Sequence, residues 1–323
     1  MVLGSPLALR PLGSTGLEVP ALCVGCAPLG DMPEAFGYGV GEARALEVCR
    51  AILDGPIRFA DTAAAYGEGR SERRLGIALR ERGGLPPGFV LATKADRDLR
   101  TGRFDGDQVR RSVEGSLRRL GLDRIQLCFL HDPEHIPSFE TAMARGGAVE
   151  ALCRCQEEGL IAHLGVAGGP IPLLVRYVET GRFTVAISHN RHTLLNGAAA
   201  PLWAVCQRRG VAAINAAPYG GGILARGPEA HPRYAYRPAG AAVLERARRL
   251  ESICGSLGVP LAAVALQFSL RDPRLASTIV GVSSVSELEG MLALAAWPVP
   301  AALWEDLARL PVEMADPEAA PAD

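Results

Sequence analysis

Ile57-Arg-Phe-Ala-Asp61-Thr-Ala-Ala-Ala-Tyr66-Gly-Glu-Gly-Arg-Ser71-Glu-Arg-Arg-Leu75 reads as one strand, one loop and the first turn of a helix. A short apolar run ends in a charge, a glycine-bearing turn follows, and Ser71-Glu-Arg-Arg-Leu75 opens an amphipathic pattern. The unit sets a carboxylate and a phenol just past a strand end, which is where parallel α/β proteins do their chemistry. The same unit recurs along the chain. Strand-like runs fall at 21–26, 57–60, 89–93, 125–130, 162–166, 184–188, 211–215 and 277–281. Helical patterns fall between them at 42–53, 71–82, 107–120, 148–158, 172–179, 198–208 and 241–257, and at 286–295 after the last strand.

A strand plus its helix spans about 30 to 40 residues, the length of a βαβ crossover. Eight such units predict an α/β fold, a (β/α)8 TIM barrel. Leu7-Ala-Leu-Arg-Pro-Leu-Gly-Ser-Thr-Gly-Leu-Glu-Val alternates around a glycine turn and predicts an N-terminal β-hairpin that plugs the bottom of the barrel. Extra helical sequence at 261–270 precedes the eighth strand. Residues 1–323 are expected to form one domain, with the acidic, Pro- and Ala-rich segment at about 312–323 frayed.

Composition narrows the function. Hydrophobic residues make up 48% and charged residues 21% of 323, and the formal net charge is −1 with no block of like charge. Nucleic acid and membrane surface are therefore not expected as partners. The N-terminus lacks a basic stretch followed by a long apolar core, and the window at 291–304 is short and broken by Pro298 and Pro300. A cytoplasmic protein is expected. Of eight cysteines, Cys23-x-x-Cys26 lies in an apolar run and Cys153 on a helical pattern, with no second pair at zinc spacing. They read as buried reduced thiols, and no metal is expected.

Four polar residues recur at successive strand ends: Asp61 and Tyr66 after the second, Lys94 ending the third, His131 ending the fourth. Singly they read as a turn cap, a packed phenol, a surface charge and a satisfied histidine. In register on three consecutive barrel strands they read as one active site. A free phenol has a pKa near 10. A neighbouring ammonium stabilises phenolate and is expected to bring Tyr66 down, with Asp61 holding Lys94 charged. His131, expected to be neutral, would hydrogen-bond the substrate oxygen and relay a proton.

These motifs resemble the aldo-keto reductase superfamily. The resemblance rests on Phe59-Ala-Asp61-Thr-Ala-Ala-Ala-Tyr66-Gly-x-Gly-x-Ser71-Glu, Ala-Thr-Lys94 and Leu-His131-Asp-Pro. It continues through Leu117-Arg-Arg-Leu-Gly-Leu-Asp-Arg-Ile125, Glu158-Gly-Leu-Ile-Ala-His-Leu-Gly, Ala217-Pro-Tyr-Gly-Gly-Gly-Ile-Leu224 and Ile279-Val-Gly-Val-Ser-Ser284. His131-Asp-Pro-Glu, Asn190-Arg-His-Thr-Leu-Leu and the stretch from Asn215 to Leu224 are similar to the aldose 1-dehydrogenase branch, with pyridoxal 4-dehydrogenase close by. The resemblance implies hydride transfer between a nicotinamide and C1 of an aldose, or a related aldehyde, with Tyr66 as general acid/base. A small-molecule sugar or aldehyde is the implied partner, and a monomer or small homo-oligomer the implied state.

The resemblance also implies a cofactor lying across the barrel mouth. Pro218, Gly220, Gly222 and Leu224 form a glycine-rich turn after the seventh strand. Gly281, Ser283 and Ser284 lead from the eighth strand into a helix N-terminus, a natural anion site. His189 or Asn190 is expected to hold the carboxamide, because Ala167-Gly168 stands where the family often has Ser-Asn. Glu287 stands near the expected adenosine ribose, without a base after the eighth strand, so NAD is expected ahead of NADP. Asp132, Tyr234 and Tyr236 are the expected substrate contacts, and His192 replaces a tyrosine usual in the branch. Two other readings exist. A Schiff-base aldolase on Lys94 is disfavoured because Asp61 would keep the amine protonated. A non-catalytic cofactor-sensing subunit is disfavoured by the intact tetrad.

Overall fold

The computed structural model describes residues 5–319. Two short antiparallel strands, β1 (Leu9–Pro11) and β2 (Glu18–Pro20), precede the barrel. Next come β3 (Leu22–Gly25), β4 (Phe59–Asp61), β5 (Val90–Ala95), β6 (Ile125–His131), β7 (Ile161–Gly168), β8 (Val185–His189) and β9 (Ala212–Ala216). A second short pair, β10 (Arg233–Tyr234) and β11 (Arg237–Pro238), precedes the last barrel strand, β12 (Leu275–Gly281). The order β12-β3-β4-β5-β6-β7-β8-β9 closes on itself, and every pairing in it is parallel. This is the (β/α)8 barrel the alternation predicts.

Strand side chains alternate between two faces. Phe59, Val90, Ala92, Leu127, Phe129, Val185, Ile187 and Ile214 fill the barrel interior. Their neighbours Leu91, Cys128 and Leu130 face outward against the helices. The hairpin joins the interior cluster through Leu12 and Val19, both fully buried. Arg10 ties it to the barrel by donating to the carbonyls of Leu275 and Leu270. The expected plug is therefore present.

The apolar runs underestimate several strands. β5, β6, β7 and β8 run on to Ala95, His131, Gly168 and His189, and β12 starts at Leu275. The backbone ladder continues where the side chains turn polar at the rim. Short elements carry too little periodicity to be read; among them are Pro33–Phe36, Phe139–Met143, Ala301–Ala308 and the β10–β11 pair.

The expectation of a frayed tail fails over its described part. Glu313 pairs in parallel with Asn196, its carbonyl accepts the Gly197 N–H, and its own N–H reaches the Leu195 carbonyl. Asn196 Nδ2 donates to the Ala315 carbonyl, and Arg246 pairs with Glu313. The acidic residues that suggest disorder in sequence are here the partners of basic side chains on the barrel. Residues 320–323, the end of that predicted segment, lie outside the described residues.

Candidate active site

Asp61 closes β4, Lys94 is the penultimate residue of β5 and His131 closes β6. Each stands two residues beyond an inward-facing Phe59, Ala92 or Phe129. Period-two alternation therefore puts all three on the inner face at the rim. Tyr66 arrives from the loop after β4. That loop is pinned because Ser71 Oγ donates to the Cys26 carbonyl and Arg70 donates to the carbonyls of Gly30 and Asp31. Gly67 has φ +60°, and a Cβ there would run into the Gly30 carbonyl, so the chain passes Tyr66 with no room for a side chain.

Lys94 Nζ organises the cluster. It lies 2.5 Å from Asp61 Oδ1, and it donates to the Thr62 carbonyl at 2.9 Å and to Tyr66 Oη at 3.0 Å. The Tyr66 and His131 rings meet edge to face with centroids 5.7 Å apart. His131 Nδ1 is 2.6 Å from Asp96 Oδ1, and its Nε2 is 3.7 Å from Asp132 Oδ1. Asp61, Lys94 and His131 are all buried.

Burial disfavours the Lys94 ammonium, but Asp61 and Tyr66 outweigh it and hold its pKa above the ordinary lysine range. The other two directions correct the expectations from sequence. Burial pushes the Tyr66 phenol up, and Lys94 offsets only part of that rise. Burial acts to lower His131, but Asp132 and Asp96 outweigh it and the imidazole is raised, leaning toward its cationic form. Both corrections come from environment: desolvation of the Tyr66 phenol, and two carboxylates beside His131, Asp132 next to it in the chain and Asp96 two residues past Lys94.

A cavity of about 460 Å³ opens on this cluster and extends along the rim to the turns after β9 and β12. The aldo/keto reductase family model matches residues 21–310. The chain belongs to the aldo/keto reductase family. D-threo-aldose 1-dehydrogenase of Pseudomonas sp is 32% identical over 321 residues, covering 91% of this chain and 95% of the relative. Pyridoxal 4-dehydrogenase of Microbacterium luteolum is 30% identical, covering 92% and 96%. L-galactose dehydrogenase of Arabidopsis thaliana is 30% identical, covering 88% and 86%. The holo form of an aldo-keto reductase from Bacillus halodurans superposes with a TM-score of 0.77 at 24% identity, covering 96% of this chain and 98% of that one. As a member of the aldo/keto reductase family with dehydrogenase relatives, the protein is an NAD(P)-dependent oxidoreductase.

The cavity wall is suited to the nicotinamide cofactor that aldo/keto reductases use. Gly221 and Gly222 line it with φ +80° and +112°, and added Cβ atoms would meet the backbone of Ala235 and the ring of His231. With no side chain on either glycine, the turn packs flush against the 231–236 segment while its backbone lines the cavity. His189, Pro218, Gly222, Gly281 and Glu287 all line the cavity. Asn190, Gly220, Leu224, Ser283 and Ser284 are set back from it. Gly220 backs onto the Tyr234 ring, and Leu224 is buried in an apolar cluster with Ile223 and Ala247. Ser284 caps the helix Val285–Ala295, its Oγ accepting the Glu287 N–H. Ser283 donates through N and Oγ to Glu287 Oε2, at 2.7 and 2.9 Å. A base missing from the sequence reading is also present: Arg226, after β9, reaches Glu287 Oε1 at 3.4 Å and stacks on Tyr38.

At the other end, Asp132 and Tyr236 line the cavity, and Tyr236 lies 6.2 Å from the His189 ring. Tyr234 does not, because its ring is buried in the cluster behind the turn. His192 is likewise internal, packed on Trp203 and Phe268 near Asp272, and burial lowers its pKa to about 4. The tail supplies residues the sequence reading did not include. Glu318 lies 3.1 Å from His189 Nε2 and accepts from Asn190 Nδ2 at 2.8 Å, and Asp316 pairs with the buried Arg191. Asp96, two residues past Lys94, is the other side chain missed; its place at the same strand end was the available signal. Among the described residues no group of histidine, cysteine and carboxylate side chains forms a metal site, and no helix is long and apolar enough to cross a membrane alone.

Proposed function

We propose that the protein oxidises an aldose at C1 to its lactone, or removes hydride from the corresponding carbon of a closely related aldehyde or alcohol, with NAD ahead of NADP. The observation that carries this reading is the triple engagement of Lys94 Nζ by Asp61, the Thr62 carbonyl and Tyr66 Oη at the cavity floor. When bound, the nicotinamide supplies the hydride acceptor. Tyr66 Oη, as the phenolate that the fixed Lys94 charge stabilises, takes the proton of the C1 hydroxyl and becomes the neutral phenol as hydride leaves C1. Asp61 keeps that charge in place. His131 orients the substrate oxygen from the other side. The sugar relatives and the pyridoxal relative support the substrate class without choosing within it.

A second direction has its own support. Burial holds Tyr66 protonated, and a protonated phenol is ready to donate, which is what reduction of an aldehyde requires. Initial rates with oxidised and reduced cofactor against aldoses, pyridoxal and simple aldehydes separate the two. In either direction Tyr66→Phe is expected to lower kcat by about 10²–10⁴-fold while cofactor binding persists. Full turnover by that variant would remove Tyr66 from the reaction.

A further inference from the structure

Asp96 is a buried carboxylate outside the tetrad, yet it touches both of its proton-handling arms. Its Oδ1 lies 2.6 Å from His131 Nδ1, and its Oδ2 accepts the Ala65 N–H at 2.7 Å, one residue before Tyr66. Its own position is fixed by the backbone. The Asp96 N–H donates to Ser112 Oγ at 2.9 Å, and its carbonyl accepts from Gln108 Nε2 at 3.1 Å. Ser112 and Gln108 both belong to the helix Gly106–Leu120, so that helix holds the Asp96 backbone at both its N–H and its carbonyl.

Building on the proposed function, we propose that Asp96 is a positioning residue of this enzyme. Its carboxylate fixes the Nδ1 proton of His131 inward, turns Nε2 to the substrate oxygen, and ties the Tyr66 loop to the same anchor. An ionised carboxylate only accepts hydrogen bonds, so Asp96 selects the tautomer with its proton on Nδ1. Neutral His131 then presents a bare Nε2, and only the cation donates from Nε2 to a substrate oxygen. The charged and titratable groups around the ring are Asp96 on β5's exit, Asp132 beyond β6, Lys94, Tyr66 and Asp61. The two aspartates beside the ring favour the cation, and Lys94 opposes it.

Asp96→Asn removes the charge and leaves one carbonyl oxygen for two donors. In the cofactor-free protein, the His131 ring resonance, assigned by its loss in His131→Gln, is expected to titrate about one pH unit lower than in wild type. The limb of the kcat/KM profile that belongs to His131 should move down by the same amount, with kcat reduced roughly tenfold or more. Asp96→Glu keeps the charge but displaces it, and should lower kcat while leaving the His131 midpoint near wild type. A wild-type His131 midpoint and an unmoved pH limb in Asp96→Asn, whatever the rate, would overturn the proposal. So would a midpoint that falls equally in Asp96→Glu. The resonance is read without turnover, so this failure is distinct from that of the functional reading, which falls if Tyr66→Phe keeps full activity.

Discussion

Glu287, at the far end of the cavity, is the residue on which the proposed preference for NAD rests. Its carboxylate occupies the Ser283 N–H and Oγ at the start of the helix Val285–Ala295, where an anion is otherwise welcome. A 2′-phosphate arriving there meets a like charge and an occupied donor. Arg226 lines the cavity but is engaged with Glu287. Glu287→Ser should therefore free Arg226 and the Ser283 N–H together. The ratio of kcat/KM for NADP to that for NAD is expected to rise at least tenfold, about 1.4 kcal/mol of differential binding. An unchanged ratio would place the adenosine ribose elsewhere.

At the scale of elements, Ser284 and the helix it caps follow from local rules. The Ser284 side chain accepts the Glu287 N–H, and Glu287 reaches back to the residue before the cap, close to a capping box. Ser284→Ala should lower stability by about 1 kcal/mol, a melting shift of roughly 2 °C in a protein this size. Differential scanning calorimetry reads that shift, and the cofactor preference should not change with it. The same local logic explains what was legible in the sequence. Phe59, Ala92 and Phe129 belong to runs that must be buried, so the strands read clearly, and Asp61, Lys94 and His131 read as their polar ends. Asp96 did not read as part of the site because its role depends on contact with β6, across 35 residues. Tyr234 and Tyr236 look equivalent in sequence, yet a two-residue strand pair turns one into the core and leaves the other on the cavity.

The whole molecule adds a contact that no local pattern announces. The segment 313–318 crosses the barrel rim and closes on β8 through Glu318 with His189 and Asn190, and Asp316 with Arg191. Arg191 is 1% exposed, and these two carboxylates are its anionic partners among the described residues. The hold should depend on pH with a definite sign. Burial opposes the cation on His189, but Glu318 outweighs it and raises that pKa, so its contribution is complete below the ordinary histidine value near 6.5 and fades as pH rises through the folded value. Burial opposes ionisation of Glu318, but His189 and Arg191 outweigh it and bring the pKa to about 2, so its contribution is complete above 4.5 and fades as pH falls toward 2. The pair therefore grips hardest between about 4.5 and 6.5 and loosens on the alkaline side. Hydrogen exchange of a peptide spanning 312–319, corrected for intrinsic rates, should show more protection at pH 6 than at pH 8.5. Glu318→Gln should flatten that difference, since the amide keeps the Asn190 contact but cannot respond to the His189 charge. If the wild-type peptide exchanges equally at both pH values, Arg191 and the backbone contacts of Glu313 and Ala315 hold the segment and the histidine charge has no part in it.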